Sequence, residues 1–91
     1  MPEVKGTVKV KNDTIVVSER FRKRDFVVTI DETTQYPQHI SFQANQDKCD
    51  LLDSINVGDV VNVSYNLNGR EWNGPTETKY FNTLVAWQIK K

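Results

Sequence analysis

One cysteine and one histidine are the whole supply of soft metal-ligating side chains in these 91 residues. A lone thiol at Cys49 permits no internal disulfide, which agrees with a reducing compartment. With His39 alone beside it, no zinc site of the usual Cys/His kind can be built. Glycine is scarce at four residues, and no glycine-rich phosphate loop or nucleophile–base pair can be assembled, so neither an enzyme nor a cofactor is expected. Apolar runs stop after a few residues, far short of the roughly 20 that cross a bilayer. The opening MPEVKGTVKV lacks an apolar signal-peptide core, and the expected location is the cytoplasm. Net charge is missing as well: twelve basic residues balance twelve acidic ones, and bulk charge names no partner.

What is present suits a soluble globular chain, with 37% hydrophobic and 26% charged residues, and the length predicts one domain over residues 1–91. The charge is unevenly spread. Residues 1–24 hold seven cations against three anions, residues 25–59 one cation against seven anions, and the remainder is net +2. A surface with one basic and one acidic side follows.

Alternation at period two dominates. Val4, Gly6, Val8 and Val10 share one face of a first strand and Lys5, Thr7, Lys9 and Lys11 the other. After the Asn12-Asp13 turn or bulge signal, Ile15–Val17 resumes a β-rich run that continues this strand, bent. Gly6 suits a bend or a close crossing. The run SERFRKRD forms a hairpin loop or its shoulders, and Phe26, Val28 and Ile30 form the inner row of a second strand. DETTQYPQ is a connection in which Pro37 holds Tyr36 extended. Ile40, Phe42 and Ala44 mark a third strand, with His39 exposed on it. Residues 45–55 are the one helical stretch: Asn45 is the N-cap, Cys49, Leu51, Leu52 and Ile55 face the core, and Asp47, Asp50 and Asp53 form an acidic solvent side rather than a metal site. Val61, Val63, Tyr65 and Leu67 alternate with Asn62, Ser64, Asn66 and Asn68 in a fourth strand. If its register continues, Arg70 and Trp72 leave on the wet face. A polar turn region carrying Arg70, Trp72, Lys79 and Tyr80, with its tip at NGPTET, leads to a fifth strand. Its inner row is Phe81, Thr83, Val85, Trp87 and Ile89, with Trp87 in the core.

Three strands, a short helix and two strands make an all-β order that predicts an OB-fold. That fold is a five-stranded Greek-key barrel with its helix between strands three and four. An SH3-like barrel competes, but usually lacks a helix of this length there. Gly58-Asp59 with the following V-x-V, Leu67-x-x-Arg70-x-Trp72, Lys79-Tyr80 and the closing Leu84-Val85-Ala86 resemble the C-terminal half of bacterial-type single-stranded DNA-binding proteins over about a third of the chain. The whole sequence, through RFRKRDFV, YPQHISF, QDKCDLL and GREW, is also similar to short uncharacterised OB-type proteins of bacteria and their phages. The resemblance implies base stacking by Trp72 and phosphate contact by Arg70, with Lys79 and Tyr80 beside them. These residues include no disordered tail with an acidic hydrophobic tip, so the family's usual means of recruiting partner enzymes is not expected from them.

On physical grounds the basic hairpin adds Arg20, Lys23 and Arg24 as phosphate partners and Phe21 as a stacking plane, and Tyr36 is a further platform. The alternatives place Phe21 over the core and fold Trp72 over the barrel mouth. The function expected is sequence-tolerant binding of single-stranded DNA, with RNA also open, in replication, recombination or repair. One short footprint favours a homo-oligomer, and replication or recombination proteins are possible partners. The competing reading is a protein-interaction or assembly module whose aromatic loops grip another protein.

Overall fold

The computed structural model describes residues 2–31 and 33–91. Its elements run β1 (Glu3–Lys11), β2 (Ile15–Ser18), β3 (Phe21–Ile30), β4 (Gln38–Asn45), a 3₁₀ helix (Gln46–Ser54), β5 (Val60–Asn73) and β6 (Thr78–Lys90). The sheet order β1-β5-β6-β4-β3-β2, with β1 also pairing β3, closes five strands into a barrel and leaves β2 as a short extension on β3. The helix lies between β4 and β5, the third and fourth strands of the closed barrel, so the architecture is the expected OB-fold. Among the described residues no helix is long and apolar enough to cross a membrane.

Closure depends on β1. Its first half, Glu3 to Thr7, pairs with β5, and its second half, Thr7 to Lys11, pairs with β3. The chain changes partner at Thr7, directly after Gly6, where an added Cβ would stand 2.5 Å from the Thr29 carbonyl oxygen and 2.6 Å from a Val28 methyl. Glycine at this crossing lets two backbones meet. The far side closes through one parallel pair, Gln43 of β4 opposite Val85 of β6. Val8, Phe26, Val28, Phe42, Ala44, Leu52, Ile55, Val61, Val63 and Ala86 fill the interior. Phe26 and Phe42 pair across β3 and β4 with rings stacked 5.5 Å apart.

Two bulges overturn parts of the alternation. Lys9 is an extra residue between the Val8–Val28 and Val10–Val27 pairs, and an unpaired residue switches the faces of everything beyond it. Val10 therefore turns outward, not into the core. Lys11 turns inward instead, and its ammonium donates to the carbonyls of Leu52 at 3.3 Å and Ile55 at 2.9 Å, a cation placed at the negative end of the helix. In β6, Trp87 is the extra residue between the Ser64–Gln88 and Tyr65–Ala86 pairs. The core row is therefore Leu84, Ala86 and Ile89, while Phe81, Thr83 and Val85 face outward. Trp87 is half-buried at the bulge, and its indole N–H is buried without a partner among the described residues.

The helix is 3₁₀ rather than α, and its sequence has period three. Side chains three apart align along a 3₁₀ helix. Cys49, Leu52 and Ile55 form one buried line, and Asp47, Asp50 and Asp53 form another that meets β3. Arg22 contacts Asp50 at 3.2 Å and Asp47 at 3.6 Å, and Arg24 contacts Asp53 at 2.8 Å. The acidic row is thus partnered by half of the basic hairpin. Asn45 holds the cap position without a side-chain cap bond; its Oδ1 accepts instead from Gln43 Nε2 at 2.6 Å. Burial pushes the Cys49 thiol up from its ordinary value, which disfavours the reactive thiolate.

Asp59 ends the turn into β5, accepting the Asn56 backbone N–H at 2.8 Å and pairing with Lys91 at 3.1 Å. These two partners, the backbone N–H first, hold its carboxyl below the ordinary 3.8. Its stabilising contribution is therefore present above that ordinary value and lost as pH falls through the lower folded one. Asp59→Asn is expected to melt below the parent at neutral pH and to converge with it in acid. A gap independent of pH would contradict this account.

Candidate nucleic-acid interface

The fourteen residues of β5 and thirteen of β6 outrun the barrel. Pairing continues from Leu67–Leu84 to Asn73–Thr78, and the turn is confined to residues 74–77, where Gly74 N–H donates to the Glu77 carbonyl at 2.9 Å. Residues 66–73 and 78–82 are all exposed, so this section is a two-stranded ribbon standing free of the core. The radius of gyration, 14.4 Å, exceeds the roughly 12 Å of a compact chain of this length. Arg70, Trp72, Lys79 and Tyr80, expected in a turn region, are therefore strand residues with fixed faces.

Residues paired across a sheet share a face. Arg70 lies opposite Phe81, and Trp72 opposite Lys79, so two cations and two aromatics alternate on the outer face of the ribbon. Arg70, Trp72, Phe81 and Thr83 line a shallow cleft of about 330 Å³. Trp72 is 46% exposed and Phe81 53%. The Lys79 ammonium sits 5.8 Å from the Trp72 ring centroid and 3.3 Å from Glu77. The edge of the indole overlies Gly74, where an added Cβ would stand 2.5 Å from ring carbon Cζ3. Trp72 thus keeps to the wet side of the ribbon and is not folded over the barrel mouth.

The other expected residues separate. Tyr80 pairs with Glu71 on the opposite face of the ribbon, 73% exposed, and shares that face with Leu67, which is 66% exposed and outside the core. Tyr36 is exposed in the β3–β4 connection. Arg20 is exposed in the β2–β3 turn, where its carbonyl accepts from Gln46 Nε2 at 2.6 Å. Phe21 and Lys23 are half-buried strand residues, and Lys23 faces outward between Ile15 and Asn45. Arg24 lies in the inward row with Phe26 and does not belong to a solvent-facing site. At 9% exposure, its guanidinium donates to the Asn12 carbonyl at 2.7 Å, the Cys49 carbonyl at 3.3 Å and Asp53 at 2.8 Å. These three acceptors hold the guanidinium toward the helix rather than the outer surface.

Phe81 is the ribbon residue that alternation hides, because the period-two row through Trp87 places it in the core. Counting from Trp72 through a four-residue turn would have put it beside Arg70. Along the outer surface, Lys23 lies two residues before the level of the Gln43–Val85 bridge and Lys79 six residues beyond it. The basic hairpin and the ribbon therefore flank the β3–β4 face, about 26 Å apart along the strands at roughly 3.3 Å per residue.

Solved structures that share this fold include single-stranded DNA-binding proteins. Mitochondrial single-stranded DNA-binding protein Rim1 of S. cerevisiae superposes with a TM-score of 0.71, covering 98% of this chain and 90% of its own at 11% identity. The SSB of Plasmodium falciparum, solved in complex with ssDNA, gives 0.61 at 17% identity over 92% and 82% of the two chains. The small single-stranded DNA-binding protein of Streptomyces coelicolor gives 0.60 at 18% identity over 97% and 89%. At these identities the shared property is the fold. Residues 3–90 match the family described as "Domain of unknown function (DUF3127)", and the chain belongs to that family. No curated protein matches it.

Proposed function

We propose that this protein binds single-stranded DNA without enzymatic activity, in replication, recombination or repair, and that the outer face of the β5–β6 ribbon is its principal contact. The observation that carries the reading is the alternation of Arg70, Phe81, Trp72 and Lys79 on one exposed face. Bases stack on the aromatics, phosphates meet the cations, and neither contact depends on base identity. The strand then crosses the β3–β4 face toward Lys23 and Arg20, the route OB-folds generally offer between these two loops. Neutral net charge is no obstacle to this path, because the aspartates of the helix are partnered by Arg22 and Arg24. The likeness to proteins that bind single-stranded DNA supports the same reading. Self-association, which would join several short footprints, forms part of the proposal.

A second reading, a protein-assembly module, draws on the opposite face of the ribbon, where Leu67 and Tyr80 are exposed beside Glu71 with no cation among their cross-strand partners. Titration of tryptophan fluorescence with oligothymidylate and oligouridylate at two salt concentrations separates the two. Quenching that weakens with salt is expected. No binding to either oligonucleotide at low salt would sink the leading reading and favour the second.

A further inference from the structure

On the ribbon side of the Gln43–Val85 bridge, β4 and β6 diverge, and a cleft of about 470 Å³ opens in the barrel wall. Its apolar lining is Phe42, Leu67 and Leu84, and its polar lining includes Asp25, Gln43 and Asn82. Phe42 is a buried core residue behind this opening, while Leu67 and Leu84 pair across the base of the ribbon. Volumes of this order hold small ligands, and an apolar floor with a few convergent polar groups is their usual lining.

The group that demands an explanation is Asp25. It faces outward beside Gln43, two residues along from Lys23. Its carboxylate enters no ion pair among the described residues, whereas three aspartates of the helix are all matched with arginines. A half-buried carboxylate between the two basic elements of a nucleic-acid path repels phosphate. It is favourable there only opposite a hydrogen-bond donor. Gln43 donates one amide N–H to Asn45, and its carbonyl oxygen is a second acceptor on the same rim.

Extending the nucleic-acid reading, on which this inference rests, we infer that the cleft is a base-selective subsite that takes a guanine splayed out of the bound strand. Guanine presents two adjacent donors, N1–H and the N2 amino group, and a carboxylate accepts such a pair with both oxygens. Thymine offers one N–H flanked by two carbonyls that the carboxylate repels, and cytosine and adenine each offer a single amino group. Recognition of unstacked bases through their Watson–Crick edges is how single strands are read. The Asn82 amide is placed on the same rim to donate to the guanine O6. The ribbon thus supplies affinity that ignores sequence, and the cleft adds a preference at one nucleotide.

The test is competition fluorescence anisotropy with the full chain. It compares dT12, dT12 with one central guanine, and dT12 with deoxyinosine at the same place. One guanine is expected to tighten binding on the order of tenfold, the range of a good bidentate contact. Inosine, which lacks the N2 amino group, should fall between. Asp25→Asn, of the same shape, should abolish the preference without weakening dT12. Binding of dT12 with no gain from guanine overturns this inference alone, and so does a preference that survives in Asp25→Asn. Failure to bind every oligonucleotide overturns it together with the reading it extends.

Discussion

Trp72→Ala is expected to lower affinity for oligothymidylate by roughly five- to a hundredfold, the equivalent of one stacked base at about 1–3 kcal/mol. Phe81→Ala should show a loss of the same order, because the two rings share one face through the Arg70–Phe81 and Trp72–Lys79 pairs. Tyr80 is the neighbour in sequence of both Lys79 and Phe81 but points the other way beside Glu71, so Tyr80→Ala should leave affinity near that of the parent. This ordering is specific to the ribbon. If the region were an irregular mobile loop, Tyr80 and Phe81 would be interchangeable, and equal losses at both would reject the face assignment. Arg70→Ala should weaken binding less at high salt than at low, because its phosphate contact is screened and released with counterions. Thermal melts of the same variants guard against indirect effects, and all four should remain near the parent because none of these residues belongs to the core.

The second large effect concerns the fold. Gly6→Ala places a methyl group 2.5 Å from a backbone oxygen of Thr29 and 2.6 Å from Val28. A backbone atom in the strand opposite cannot move aside as a surface side chain can. Overpacking of this kind costs about 1–3 kcal/mol, and each kcal/mol moves Tm by roughly 4–8 °C in a chain of this size. Gly69→Ala is the matched comparison. The nearest atom to a Cβ there is Asn82 Oδ1 at 3.8 Å, an ordinary contact on the open ribbon, and the melt should hardly change. Equal melting temperatures for Gly6→Ala and the parent would mean that β1 does not pass from β5 to β3 at this close crossing.

The two predictions differ in how far sequence alone leads to them. Val4, Gly6 and Val8 alternate plainly, and a glycine in that row already suggested a crossing. The ribbon was harder. The period-two register from Val61 to Leu67 does extend to Arg70 and Trp72, and it put them on the wet face correctly. Turn formers around Gly74 and Pro75 nevertheless obscured how far the strands run. Pairing through Asn73–Thr78 is a tertiary fact about two segments, and neither segment shows it by itself.

The bulges set the same kind of limit. Lys9 and Trp87 carry no local mark of being unpaired, because a bulge is a mismatch in count between two strands and each strand alone looks regular. One unpaired residue reverses the faces beyond it. That is why Val10 left the core, Lys11 reached the helix end, and Phe81 moved from the expected core row to the exposed site. Arg24 shows a related effect. Its place in a basic run suggested phosphate, but the parity that makes Phe26 and Val28 core residues also turns Arg24 toward the helix. The period-three spacing of Asp47, Asp50 and Asp53 was visible and could have suggested its partner.

By itself, the sequence determined the element order, the OB barrel, most of the core and the register that carries Arg70 and Trp72 toward the wet face, because those follow from alternation and turn chemistry within single segments. The tertiary structure alone decided which side chains share a face. It set Phe81 and not Tyr80 beside Trp72, consumed Arg24, and opened a cleft at Asp25, because strand register and bulges are relations between segments distant in the chain.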